Sequence, residues 1–252
     1  MGATLSEIVE WLDGYLAIDA VADASLNGLQ VEAGESVGCV ALAVDAAAET
    51  IRQAIDADCD LLLVHHGLLF GPPQRLSGSL GANAASCFRG GLSLYAAHLP
   101  LDLHPQVGNN VLLARALGAE ASGTFGDHGG VDIGLLATLP RPMPLAELAG
   151  SFAAAGCDEQ RMWAFGPDPV SRLAIVTGSG CSLMAEAIAA GVDCFISGEP
   201  RHSAYHQARE AGLNCLFGGH YATETFGVKA VGELLAERFE VDTRWIEHPT
   251  GV

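Results

Sequence analysis

An apolar run in this chain ends on two adjacent histidines, in "LLLVHHG" at 61–67. A buried imidazole must find a hydrogen-bond partner or carry the cost of desolvation. Two in succession, His65 and His66, therefore call for a shared task. Other residues of similar chemistry stand at the ends of similar runs: His98 after "LSLYAA", Glu199 after "DCFISG" and His220 after "NCLFGG". Asp102 and Glu224 each follow a histidine by four residues. Imidazole and carboxylate without cysteine suit Zn, Mn, Fe or Ni through N and O donors. Adjacent strand residues leave the backbone on opposite sides, so a single ion would rarely take both His65 and His66. Two ions about 3.5–4 Å apart could take one each, with a carboxylate between them.

The spacing of His220 and Glu224 puts both on one face of a helix that begins in "HYATETFG". In "HLPLD", Pro100 disfavours a helix and Asp102 is expected on a loop. His202 and His206 are also four apart, on a helix, and form a competing two-histidine constellation. An exposed helix face is the favoured reading of that pair. His104, His128 and His248 sit in polar loop contexts. No G-x-S-x-G and no G-x-x-x-x-G-K-[ST] occurs. The glycine-rich turn "VTGSG" (176–180) offers backbone amides to an anion, a weak signal by itself.

The elements that must position these groups alternate. Strands are expected at 38–45, 59–66 and 92–98, with helices at 46–57, 81–91 and 106–119. The order recurs with strands at 171–178, 192–199 and 213–220 and helices at 181–191, 203–212 and 224–239. This β-α-β-α-β order predicts mostly parallel sheets in α/β/α layers. Matching the halves sets His66 on Glu199, His98 on His220 and Asp102 on Glu224. The change in lag between the halves falls in the loop after His-His-Gly, where a duplication tolerates a gap. The expected organisation is a first half at 1–126, a connecting strand and helix at 127–169, and a second half at 170–252. The tail 241–249 reads as an edge strand. Functional groups in open α/β sheets collect at the carboxyl ends of strands, where His65, His66, His98, Glu199 and His220 lie in this reading.

The 252 residues suffice for a sizeable core. Half are hydrophobic and 17% charged, with a formal charge of −18. Such a surface repels phosphate backbones and anionic membranes, so neither nucleic acid nor a membrane is an expected partner. Seven cysteines are scattered singly, which reads as reduced core thiols in a cytoplasmic protein. The first sixteen residues carry acids and leucines at helical spacing rather than a signal peptide. Thr4 and Glu7 have capping-box spacing.

Five stretches, "SLNGLQVEAG" (25–34), "LLLVHHGLLF" (61–70), "YAAHLPLDLHPQVGNN" (95–110), "ISGEPRH" (196–202) and "GGHYATETFGVKAVGELL" (218–235), resemble the NIF-three-like dinuclear metal proteins, also called GTP cyclohydrolase I type 2 homologs. The resemblance covers residues 25 to 235, and the chain looks like a short member without the inserted domain of longer ones. It implies the duplicated three-layer α/β fold and two divalent metal ions per subunit. Carried over by motif, the ligands are His65, His66, Asp102, His220 and Glu224. Glu224 would bridge, His66 and Asp102 would share one ion, and His65 and His220 would hold the other. His98 and Glu199 are partners of ligands in the repeat, and are expected to orient ligands or transfer protons. The resemblance also implies a homo-oligomer, a toroidal hexamer, and hydrolytic opening of a purine ring in a small-molecule substrate. Only twelve basic residues are present. Arg75, Arg201 and Lys229 are the ones near the motifs, a thin supply for a triphosphate. The alternative reading is a non-catalytic metal-binding ring scaffold that handles metal or docks a partner.

Overall fold

A computed structural model describes residues 3–158 and 161–252. The chain opens with β1 (Ala3–Thr4), α1 (Leu5–Leu16), β2 (Gly28–Val31), β3 (Ser36–Val37) and β4 (Cys39–Asp45). Then come α2 (Ala48–Asp56), β5 (Leu61–His66), α3 (Gly78–Gly90), β6 (Ser93–Ala96), α4 (Leu99–Leu103) and α5 (Asn109–Ala116). A long hairpin follows, β7 (Glu120–His128) and β8 (Val131–Met143), and then α6 (Leu145–Ala154), β9 (Arg161–Trp163) and β10 (Val170–Val176). The last part runs α7 (Met184–Ala189), β11 (Cys194–Ser197), α8 (His202–Ala211), β12 (Asn214–Phe217), α9 (His220–Thr223), α10 (Thr225–Phe239) and β13 (Asp242–Trp245).

Two compact units result. One comprises Met1–Leu101 with Gly227–His248, the other Asp102–Phe226 with Pro249–Val252. In the first, the sheet order is β13-β4-β5-β6-β2. Its central pairings are parallel, and β2 alone runs antiparallel, against β6. Ala41, Ala43, Leu62, Val64, Leu94 and Ala96 turn to one side, with Ile51, Ala54 and Cys87 of the helices α2 and α3. On the other side Gly232 of α10 lies so close to Leu42 that any Cβ would collide with it, and the Tyr95 hydroxyl donates to Asp13 of α1 at 2.8 Å. α1 opens with the expected capping box: Thr4 Oγ1 accepts from the Glu7 amide, and the Glu7 carboxylate accepts from the Thr4 amide.

In the second unit the order is β7-β8-β10-β11-β12-β9. β10, β11 and β12 pair in parallel, while the hairpin strands and β9 are antiparallel. Successive residues of these parallel strands alternate between two cores. Leu173, Ile175, Cys194, Ile196 and Leu216 face Phe152 and Leu148 of α6. Ala174, Val176, Phe195, Cys215 and Phe217 face Met184, Ala204 and Ala208 of α7 and α8. Strand alternation thus supplies two helix-covered faces, as a three-layer unit requires. The fold is a mixed α/β architecture in which each unit carries the same β-α-β-α-β core.

Three details differ from the sequence expectation. The 127–169 segment is no mere connector, because β8 sits inside the sheet between β7 and β10. The tail strand β13 joins β4 of the first unit, and most of α10 goes with it. Pro100 lies inside α4 rather than in a loop. Its missing N–H costs nothing there, since amides of a first turn have no helical acceptor. No helix among the described residues is long and apolar enough to cross a membrane.

Candidate metal centre

In the first unit, β5 is apolar and buried along its length and delivers His65 and His66 at its carboxyl end. The His65 ring is fully buried, and its Nδ1 lies 2.9 Å from the Ala97 carbonyl. A carbonyl only accepts, so Nδ1 carries the proton and Nε2 the lone pair. His66 directs Nδ1 to Asp45 Oδ1 at 2.8 Å. Asp45 is its register partner on the neighbouring strand β4. His98, just past β6, directs Nδ1 to Asp23 Oδ1 at 2.9 Å. Asp23 also accepts from Asn27 Nδ2 and from the amides of Ser25 and Leu99, each at 3.0 Å. Burial by itself would raise the Asp23 pKa, but the His98 imidazole, the Asn27 side chain and the Ser25 amide hold it well below the usual carboxylate range.

The three rings gather tightly. Centroids are 4.7 Å apart for His65 and His66, 5.0 Å for His65 and His98, and 5.5 Å for His66 and His98. Phe70 stands edge-on to His98 at 5.1 Å. The opposite faces expected for adjacent strand residues therefore do not part these imidazoles. Alternation sets where each Cβ leaves, but a long side chain at a strand end can still turn inward. Gly67 is needed next, because a Cβ there would collide with the Gln30 side chain and Ala96. Gln30 Oε1 in turn accepts from the Leu68 and Leu69 amides at 2.7 and 3.1 Å, pinning the loop after the histidines.

In the second unit, Asp102 lies buried on α4, and its Oδ1 accepts from Asn109 Nδ2 at 2.8 Å and Thr177 Oγ1 at 3.0 Å. The Thr177 amide donates to Asn110 Oδ1 at 3.0 Å. His220 opens α9, and Glu224 caps its end before α10 begins. The expected continuous helix is broken there, yet the two still meet: His220 Nε2 is 3.3 Å from Glu224 Oε2. Glu199 Oε1 lies 3.6 Å from His220 Nδ1. Burial would lower the His220 pKa, but the two carboxylates outweigh it and raise it to about 9. Gly178, at φ +62°, makes room, since a Cβ there would run into the Glu224 carboxylate.

His202 and His206 lie exposed on α8 with ring centroids 6.5 Å apart. Arg201 Nη2 donates to Ser179 Oγ at 3.0 Å, and the Lys229 ammonium sits 4.3 Å from the centre of the Trp245 ring. Sequence reasoning passed over Asp23, Asp45, Asn109, Thr177 and Gln30. The one available signal was Asp45 itself, an acid closing an apolar strand.

The donor set fits a divalent transition metal. Imidazoles and carboxylates are present, and oxygen acceptors at Nδ1 of His65, His66 and His98 set the tautomer that makes Nε2 the ligand atom, as in metal sites generally.

The family model described as Duf34/NIF3 (NGG1p interacting factor 3) matches residues 3–250. A Halobacterium salinarum protein named GTP cyclohydrolase 1 type 2 homolog is 44% identical over 252 residues, covering 98% of this chain and 99% of that one. One of the same name from Archaeoglobus fulgidus is 43% identical over 248 residues, with 98% and 99% covered. A Thermus thermophilus protein of known crystal structure is similar with a TM-score of 0.89 and 41% identity, over 99% of this chain and 100% of that one.

Proposed function

This chain belongs to the Duf34/NIF3 family, and from that premise we propose that it holds two divalent metal ions and hydrolyses a nucleotide-like small molecule. The ions would be held by His65, His66, Asp102, His220 and Glu224. The observation that carries this reading is the arrangement around His65 and His66, whose Nδ1 atoms lie 2.9 and 2.8 Å from the Ala97 carbonyl and Asp45 Oδ1, so that Nε2 is the ring atom each would offer to a metal. The relatives' name, GTP cyclohydrolase 1 type 2 homolog, supports the choice of a nucleotide-like substrate.

A pair of bound divalent ions supplies a nucleophile near neutral pH and offsets negative charge that develops on the reacting group. The protein's own residues do the rest. Asn109 and Thr177 hold Asp102 in one orientation. Glu199 steadies the imidazole of His220 from its Nδ1 side. His98, with Nδ1 fixed by Asp23, accepts and returns a proton at Nε2. Few cations are placed to bind a triphosphate, because Lys229 stacks on Trp245 and Arg201 is engaged by Ser179. That favours a substrate with less negative charge than GTP. We take the assembly to be a homo-oligomeric ring of six, which native mass spectrometry of the purified protein tests.

The test of activity compares metal-loaded wild type with Glu224→Ala and His98→Ala on a panel of nucleotides, nucleosides and phosphoesters. Glu224→Ala should lose both metal and turnover. His98→Ala should keep two metal equivalents and turn over about 100-fold more slowly or worse. If wild type converts nothing faster than these variants, hydrolysis is excluded and the metal-binding scaffold is the better account.

A further inference from the structure

The fold of the first unit brings together two thiols that stand 20 residues apart in sequence. Cys39 Sγ and Cys59 Sγ lie 3.0 Å from each other, about 1 Å beyond the length of a disulfide bond. Separate devices place the two residues. Cys59 follows α2, which ends in a Schellman motif. The Asp58 amide donates to the Ile55 carbonyl at 3.0 Å and the Cys59 amide to the Ala54 carbonyl at 3.1 Å, with Asp58 in the left-handed region at φ +53°. Cys39 opens β4. The Asp60 carboxylate accepts from the Gly38 and Cys39 amides at 2.8 and 3.0 Å, and the Asp60 amide donates to the Cys39 carbonyl at 2.9 Å. The start of β4 is thereby tied to the residue that follows Cys59. Cys39 is the least buried of the seven cysteines, at 8% exposure, against 4% for Cys59. Burial and the neighbouring Cys39 push the Cys59 thiol up to about 12.

We propose that Cys39 and Cys59 form a redox site, a thiol pair that a hydroperoxide closes to a disulfide within the folded chain and that a dithiol reopens. Reaction begins at Cys39, the more exposed of the two. Its Sγ attacks one peroxide oxygen, the O–O bond breaks, and the departing oxygen takes the thiol proton and leaves as water or an alcohol. Cys39 is then a sulfenic acid. Cys59 Sγ attacks Cys39 Sγ, the S–O bond breaks, and the hydroxide released takes the Cys59 proton and leaves as water. Two thiols lose two electrons to one hydroperoxide, and the products are a disulfide, water and an alcohol or a second water. A resolving thiol already in contact is what diverts a sulfenic acid from the irreversible higher oxides. The pair sits at the amino end of β4 and just before β5, whereas Asp45 and His66 stand at the carboxyl ends of those strands. Its chemistry is therefore independent of the metal reading.

The experiment uses the full-length folded protein, fully reduced and freed of reductant, and treats it with hydrogen peroxide. Catalase stops the reaction, the remaining thiols are alkylated in urea, and a non-reducing peptide map locates each cysteine. Cys39 and Cys59 should appear as one cross-linked peptide pair that has lost two hydrogens, while the other cysteines carry the alkyl label. Dithiothreitol added before alkylation should restore label at both positions. The result should be the same with and without bound metal, because the pair lies at the other end of the strands from Asp45 and His66. A disulfide across a segment of 20 residues should raise Tm by about 5–10 °C. Cys39→Ser should abolish both the cross-link and the rise, and should leave Cys59 open to alkylation. Both thiols still alkylated after peroxide would overturn the proposal. So would Cys39 carried to the sulfinic or sulfonic acid without cross-linking, or a cross-link that forms only with metal present or only in urea. A cross-linked protein whose Tm does not rise would also overturn it, for the native placement of the two strands would then not be what makes the bond.

Discussion

At the scale of single residues, the candidate centre depends on acids far away in sequence. Asp45 stands 21 residues from His66, and Asp23 stands 75 from His98. Asp45→Ala should therefore lower cation affinity about 10–100-fold while leaving His66 in place. A metal titration of that variant measures it, and an unchanged affinity would show Asp45 to be incidental. Asp23 has a second consequence. Its pKa is depressed in the folded protein by His98, Asn27 and the Ser25 amide acting against burial. A depressed carboxylate contributes stability that is complete above its unfolded value of about 3.9 and is lost as pH falls through the folded value. Metal-free wild type should accordingly lose stability below about pH 4, and Asp23→Asn should show a shallower loss over that range. Unfolding by urea between pH 5 and 2 reads the difference, and parallel curves would rule the linkage out. The candidate histidine ligands were legible in the sequence because each stands at the end of an apolar run, and Asp102 and Glu224 because each follows a histidine by four residues. Their supporting acids were not, since nothing around Asp23 marks it as facing a histidine five strands onward.

At the scale of elements, the parallel strands were legible because each is a short apolar run followed by a helical pattern. β7 was not, because five of its first residues, from Glu120 to Thr124, are exposed and carry no alternation. α4 was misread because proline weighs against a helix only beyond the first turn. The joints between elements are set by glycines whose need is steric. A Cβ at Gly198, just after β11, would lie 2.7 Å from His220 Cα and 2.8 Å from the Gly178 carbonyl. Both obstacles are backbone and cannot swing aside. Gly198→Ala should destabilise the protein by about 1–3 kcal/mol. Gly14 is the control, since it lies in α1 with nothing within 4 Å of an added methyl. Gly14→Ala should stabilise by about 0.5–1 kcal/mol through helix propensity alone. Denaturant midpoints of the two variants should move in opposite directions, and a shared direction would refute the steric account of Gly198.

At the scale of the whole chain, the repeated β-α-β-α-β order was visible, but the sequence alone could not assign every element to a unit. An amphipathic helix such as α10 does not encode which sheet it covers, and only the pairing of β13 with β4 settles where that segment goes. Charge acts at this scale too. Thirty acids against twelve bases leave a formal charge of −18, and self-repulsion of that kind weakens a compact state. A divalent ion bound among carboxylates and imidazoles offsets part of it and, by mass action, favours the folded protein. With free metal at 100 times Kd, one site contributes about 2.7 kcal/mol. For a chain of this size 1 kcal/mol moves Tm by about 2–4 °C, so chelation should lower Tm by about 5–10 °C, more if two ions leave. Readdition of Zn or Mn should restore it, while Mg should not, because imidazole nitrogen is a poor ligand for so hard an ion. Calorimetry with and without chelator, at fixed protein concentration and ionic strength, measures the shift. A Tm indifferent to chelator in protein shown beforehand to carry metal would mean that the ions contribute nothing to the fold.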